Sequence, residues 1–381
     1  MQQSRPTDYG KHRKRIVIKI GSSSLTSVQG ELSRHKLNML VDEVTDLRDE
    51  GYEVILVSSG AVAAGYRKLG CLTRPTELSL TQAAASIGQG LLMEAYSERF
   101  LSHGYVASQI LITRGDFSDR KRYRNVRNAI NVLLERGIVP IINENDTITV
   151  ERLRFGDNDT LSAKVAGLAD ADQLIILSDI DGLYDGDPRR NPEARLLRNV
   201  KEITPEIEAL AGDSGSSVGT GGMRSKIDAV KIAAASGVPT FIGKANTPRI
   251  LTQAVKEGAR GTYFEAQKED NLDGKKQWIA FNSGTEGDII VTDQALEVIM
   301  NQDRHLEMAH IQNVLGQFSK NSVVRILTGD NREIGRGVVM CDADELRRCI
   351  GGQSAKSHNE KAVIAAGEMV CSVHVPVLVG G

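Results

Sequence analysis

The 381-residue chain lacks the marks of several protein classes. It has four cysteines, Cys71, Cys341, Cys349 and Cys371, and no CxxC spacing. That spacing argues against a zinc site or a disulfide framework and fits a reducing, cytoplasmic setting. No apolar run approaches the ~20 residues of a membrane span, so no membrane partner is expected. There is no charge excess either. Charged residues are 25% and the formal net charge is -2, which speaks against a chain whose main task is to coat nucleic acid. Lys11, Arg13, Lys14 and Arg15 precede a six-residue strand rather than a long apolar segment. Residues 1–14 therefore read as a flexible tail, not a secretory signal. Two phosphate-site patterns are also missing: no stretch reads GxxxxGK[ST], and none fits GxGxxG.

What is present centres on the stretch from Val139 to Asp159. The run up to Ile142 is apolar and β-branched, as in a strand buried on both faces. It stops abruptly at Asn143-Glu144-Asn145-Asp146, and Asp157-Asn158-Asp159 follows at the start of a helix-like segment. Asn and Asp are common turn and cap residues. Six of them in two adjacent clusters, one at the end of a buried strand, favour a polar small-molecule site, because open α/β sheets bind ligands at that edge.

The rest of the chain repeats this arrangement. Arg15 to Ile20 runs into Gly21-Ser22-Ser23-Ser24, whose backbone N–H groups can approach a phosphate. Lys19 lies inside that apolar strand, where a lysine is costly without an anionic partner. Val54 to Val57 ends in Ser58-Ser59-Gly60, and a long helix is predicted from Glu77 to Leu101. Tyr105 to Ile112 precedes a basic run, Arg120, Lys121, Arg122, Arg124 and Arg127, which reads as a solvated face or as a loop serving an anionic substrate. Gln173 to Leu177 ends in Ser178-Asp179. Gly215 to Lys226 is the most glycine-rich segment and opens a helix, an anion-site arrangement. Val238 to Ile242 is the sixth strand. Strand–helix alternation predicts an open, mainly parallel α/β sheet sandwiched by helices over 15–265. A polar linker, 266–277, leads to a smaller, mainly β domain over 278–381, which holds nine Lys/Arg against thirteen Asp/Glu.

Taken in order, IKIGSSSLT, VSSGAVAAG, INEND, FGDND, SDIDGLYDGDPRRNP and GTGGMRSK resemble the glutamate 5-kinases of the amino acid kinase family. The trailing domain resembles the PUA domain often fused to them. The resemblance implies ATP-dependent phosphorylation of the L-glutamate γ-carboxylate, the first step of proline biosynthesis. Mg²⁺ would come with ATP, with no metal ligand expected from protein side chains. It also implies a homo-oligomer, a dimer or a tetramer, and proline as a feedback inhibitor. By motif, Lys19 and Lys226 would be catalytic, with Asp159 orienting them. Ser59, Gly60, Asn143, Asp146 and Asn158 would bind glutamate. Lys19, Gly21, Ser178, Asp179 and the loop Thr220, Gly221, Gly222, Met223, Arg224, Ser225 and Lys226 would bind ATP. In the second domain Gln317 to Lys320 and Val323 to Ile326 fit the PUA pattern, whereas His305 to Ile311 departs from its Leu-Leu-Pro-like segment. Nucleic-acid binding is not expected from this acidic domain. The alternatives are a related kinase for another carboxylate, carbamate or nucleotide, an RNA-binding protein with a relic kinase half, and a non-catalytic amino-acid sensor.

Overall fold

The computed structural model describes residues 13–27, 30–149, 158–188, 190–212, 222–266, 274–282, 284–301, 304–350 and 361–371. All six expected strands form: β1 (Arg15–Ile20), β2 (Glu53–Ser58), β3 (Ala107–Ile112), β4 (Val139–Glu144), β5 (Gln173–Ser178) and β7 (Thr240–Lys244). Two short strands were not anticipated, β6 (Asn199–Val200) and β8 (Gly261–Phe264). They are too brief to show a period-2 pattern, and β8 exists because it pairs antiparallel with β7. The order is β3-β4-β2-β1-β5-β7-β8-β6, and the first six are parallel.

Strand order reverses at β1, which lies between β2 and β5. The register places Ile20 opposite Ser58 and Leu177, so the polar ends of these strands meet at one edge. The helices are α1 (Ser22–Leu25), α2 (Arg34–Asp49), α3 (Ala61–Gly65), α4 (Leu78–Ser102), α5 (Arg114–Ser118), α6 (Arg120–Glu135), α7 (Asn158–Leu168), α8 (Pro205–Leu210), α9 (Met223–Ala235) and α10 (Ile250–Val255). Alternate residues of β1 pack on opposite faces. Val17 joins Ile130 of α6, Leu161 of α7 and Val230 of α9, whereas Ile16 and Ile18 join Val41 of α2, Tyr96 of α4 and Leu251 of α10.

The α3–α4 contact is made backbone to backbone. A Cβ on Gly88 would lie 1.8 Å from the Ala61 carbonyl oxygen, and one on Gly65 would lie 1.9 Å from that of Ala84. Only glycine permits this approach. Gly88→Ala is expected to lower stability by about 3 kcal/mol, the upper part of the usual range for overpacking. A denaturant midpoint equal to the parent's would show that α3 and α4 can separate at no cost.

The second sheet has the order β10-β14-β13-β12-β9-β11, from β9 (Thr285–Val291), β10 (Leu306–Glu307), β11 (Ile311–Gly316), β12 (Val323–Leu327), β13 (Glu333–Val339) and β14 (Ala362–Cys371). The sequence showed β9, β12 and β13 as short runs. It hid β11 because a register shift between Ile311 and Asn313 breaks the alternation. Of the expected linker, 267–273 lies outside the described residues, and Gly274–Gln277 form a helical turn that continues into Trp278–Asn282. Trp278, Ile279 and Ala280 join the core beneath the first sheet. The Trp278 indole N–H donates to the Phe117 carbonyl at 2.9 Å, and Arg336 of β13 donates to the Ala280 carbonyl at 2.9 Å. Close to this junction, burial pushes the Lys164 ammonium down to about 7, with Arg114 and Arg336 adding to the effect. Among the described residues no helix is long and apolar enough to cross a membrane.

Candidate active site

The lysine inside β1 has the anionic partner that its burial demands. Lys19 Nζ lies 2.5 Å from Asp159 Oδ1, and Lys226 Nζ lies 3.2 Å from Oδ2 of the same carboxylate. Exposure is 7% for Lys19, 0% for Asp159 and 4% for Lys226. Three elements supply the group: a central strand, the first turn of α7 and the first turn of α9. Ser225 Oγ donates to Asp159 Oδ2 at 3.0 Å and fixes the carboxylate further. Burial alone would raise the Asp159 carboxyl, but Lys19, Lys226 and the hydrogen bonds from Lys19 and Ser225 outweigh it and hold the group below the ordinary aspartate value. One carboxylate between two ammonium groups leaves an excess positive charge in a buried place, which suits an incoming anion. The loop after β1 keeps the approach clear. A Cβ on Gly21 would stand 3.6 Å from Lys19 Nζ, so glycine leaves that space for a phosphate.

A polar cluster borders the triad. Asn158 Nδ2 donates to the Ser58 carbonyl at 2.7 Å, to Ser59 Oγ at 2.7 Å and to Asn143 Oδ1 at 3.1 Å. With its amide nitrogen facing three acceptors, Asn158 presents Oδ1 as its remaining group, an acceptor suited to an ammonium. Gly60 takes φ +105° and turns the chain from β2 into α3. Asn143 is the penultimate residue of β4 and is buried, and half-buried Asp146 lies on the loop that follows the strand. The structure therefore brings Ser59, Gly60, Asn143 and Asn158 to one place beside Asp159. Asp157 lies outside the described residues.

On the far side of Lys226 is a cavity of about 320 Å³. Leu183, Tyr184, Pro188, Leu210 and Met223 give it apolar walls, and Ser178, Asp179 and Gly222 give it a polar border. Ser178 Oγ donates to Asp179 Oδ1 at 3.0 Å. Because Lys226 lines this cavity and also belongs to the triad, a ligand with an apolar body and an anionic end would reach the lysines from it. Gly21 and the paired ammonium groups fit a phosphate, and these walls fit a base. Thr220 and Gly221 lie outside the described residues. Arg224, placed with the nucleotide loop on sequence grounds, directs its guanidinium to Glu208 at 2.6 Å and Asp228 at 3.6 Å, and so ties α9 to α8.

The basic run lies on α6. Arg120, Lys121, Arg122 and Arg124 are exposed, Arg122 pairs with Asp116 at 3.2 Å, and Arg127 pairs with Asp170. This is the solvated-face form of the two sequence expectations. Sequence reasoning passed over Gln89, whose Oε1 accepts from Asn143 Nδ2 at 2.9 Å, and Tyr96, whose hydroxyl is 3.0 Å from Ser58 Oγ. The available signal was Gln82, Gln89 and Tyr96 at seven-residue intervals along one helix.

The sequence profile of the amino acid kinase family matches residues 14–244, and that of the PUA domain matches residues 287–361. The chain is 61% identical over 360 residues to glutamate 5-kinase 2 of Bacillus subtilis strain 168, covering 94% of this chain and 96% of that protein. It is 58% identical over 368 residues to glutamate 5-kinase 2 of Bacillus licheniformis, covering 96% and 99%. It is 48% identical over 341 residues to glutamate 5-kinase of Geobacter metallireducens, covering 90% and 91%.

Proposed function

We propose that this chain, which belongs to the amino acid kinase family, transfers the γ-phosphoryl group of ATP to the γ-carboxylate of L-glutamate, the opening step of proline biosynthesis. The observation that carries the reading is Asp159 held between Lys19 and Lys226 where the polar cluster and the apolar cavity meet. The chemistry asks for little else. A carboxylate is ionised at neutral pH, so no general base is needed. The obstacle is bringing two anions together in line, which positioning and charge neutralisation overcome. Lys19 and Lys226 neutralise the phosphates, and Asp159 keeps both at a set spacing. Mg²⁺ carried on the phosphates would add charge neutralisation. Asn158 Oδ1 and Asp146 hold the substrate ammonium, and Ser59 and Asn143 complete that half. The cavity beside Ser178, Asp179 and Met223 takes the nucleotide.

In this reading 15–265 is the catalytic unit and 278–381 a PUA-like unit, joined by 266–277. The same resemblance supports a cytoplasmic homo-oligomer that proline inhibits. The test is hydroxylamine trapping with L-glutamate, ATP and Mg²⁺. The labile acyl phosphate should appear as a stable γ-hydroxamate that requires both substrates, and proline added to the same mixture should suppress it. ADP release with another acid and none with glutamate would replace the substrate and keep the site. No turnover with any acid would overturn the reading.

A further inference from the structure

Helix α4 carries Gln82, Gln89 and Tyr96 at seven-residue intervals. Seven residues are about two helical turns, so the three share one face. Gln89 and Tyr96 reach the polar cluster, and Gln82 reaches the loop beyond it. Gln82 Nε2 donates to the Thr149 carbonyl at 3.3 Å, on the loop that follows β4. Gln89 Oε1 accepts from Asn143 Nδ2 at 2.9 Å, at the end of β4. Tyr96 OH lies 3.0 Å from Ser58 Oγ, at the end of β2. Ser58 Oγ also lies 3.2 Å from the Ser59 carbonyl, so the buried Tyr96 and Ser58 hydroxyls and that carbonyl form one chain of hydrogen bonds.

We infer that this stripe is a positioning frame for the acceptor half of the site, with Gln89 as its central positioning residue. The hydrogen bonds run in one direction. Asn143 Oδ1 accepts from the Glu144 N–H at 2.9 Å and from Asn158 Nδ2 at 3.1 Å, which leaves Nδ2 as the end that must find an acceptor. Gln89 is that acceptor. It locks the Asn143 amide against rotation, and the locked Oδ1 helps to turn the Asn158 amide nitrogen inward. Asn158 then presents its own Oδ1 outward. Tyr96 acts on the other flank, where Ser58 and Ser59 supply the remaining acceptors for Asn158. The Gly65–Gly88 contact fixes α4 against α3, the helix that follows Ser59 and Gly60, so the frame and the loops it braces cannot drift apart.

The inference rests on the proposed role of this cluster in holding the carboxylate substrate, and its test is separable from that role. Hydroxamate formation by the parent protein is measured first. If another acid proves to be the substrate, the same kinetic split is read for that acid. Gln89→Met keeps length and helix propensity but removes the acceptor. It should raise the KM for glutamate about tenfold, the size of one lost hydrogen bond to a partly buried group, with the KM for ATP unchanged. Added to Asn143→Ala, it should change the glutamate KM no further, because Gln89 acts through Asn143. Gln89→Glu, which retains an acceptor oxygen, should lie closer to the parent than Gln89→Met. An undiminished effect in the Asn143→Ala background would make Gln89 a direct contact and overturn the inference. An unchanged glutamate KM, or an equal rise in the KM for ATP, would overturn it too. If Gln89→Met fails to fold, Tyr96→Phe, which removes one oxygen, is read for the same split: a rise in the glutamate KM alone supports the frame, and parent-like constants overturn it.

Discussion

Asp159→Asn is expected to lower kcat by about a thousandfold, the scale seen when a preorganised electrostatic group is removed from a reaction centre. The substitution preserves shape and removes one charge. In the parent, Lys19 and Lys226 contact the two oxygens of this carboxylate at 2.5 Å and 3.2 Å, and all three groups are buried. Without it two ammonium groups face each other in a dry place. Removing one partner of a buried ion pair costs about 3–5 kcal/mol, so the variant should also melt at lower temperature. A bound triphosphate supplies the missing negative charge. ATP should therefore raise the melting temperature of Asp159→Asn by more than it raises that of the parent, and thermal melts with and without nucleotide read this directly. The pH dependence has a definite sign. The Asp159 carboxyl lies below its ordinary value, so its stabilisation is present above the unfolded-state value and is lost as pH falls through the lower folded-state value. Asp159→Asn should lack that acid limb. Parent-like turnover would exclude Asp159 as the group that sets the lysines.

Much of this site was legible because the residues involved violate local rules. Lys19 in an apolar strand implied a buried anion, and Asn158-Asp159 at a helix start after a polar cluster pointed to a site rather than a cap. What stayed hidden depends on distance in space. Nothing local to Arg224, which the family resemblance places with the nucleotide loop, says that α8 will bring Glu208 within 2.6 Å. Gln89 and Tyr96 belong to a helix with many other polar residues, where a single further one carries no local penalty. Their partners are strand ends set by sheet order, which periodicity does not contain. Trp278 looked like the start of the second domain because the composition changes there. Its ring packs into the first core, and its N–H donates to the Phe117 carbonyl, a partner remote in sequence. The basic run divides along the same line: its charge was visible, and its ion pairs with Asp116 and Asp170 were not.

Lys226→Ala should act on the chemical step rather than on the acceptor. The expected result is a kcat lower by two to three orders of magnitude, about 3–4 kcal/mol of lost charge stabilisation, with the glutamate KM within roughly threefold of the parent. The split follows from position. Lys226 sits in the first turn of α9 and lines the cavity proposed for the nucleotide, whereas Asn158, Asn143 and Ser59 form the proposed acceptor side. Stability should fall less than in Asp159→Asn, because Lys19 remains 2.5 Å from the carboxylate and no charge is left unpaired. Lys226→Arg should not restore the rate. A planar guanidinium is bulkier than an ammonium and spreads its charge, so it does not reproduce the point contacts that Lys226 Nζ makes with Asp159 Oδ2 at 3.2 Å and the Gly222 carbonyl at 3.4 Å. Steady-state rates with both substrates varied separate the outcomes. A large rise in the glutamate KM with an intact kcat would move Lys226 to the acceptor side, and an unchanged kcat would remove it from the reaction, leaving Lys19 as the cation that meets the phosphate.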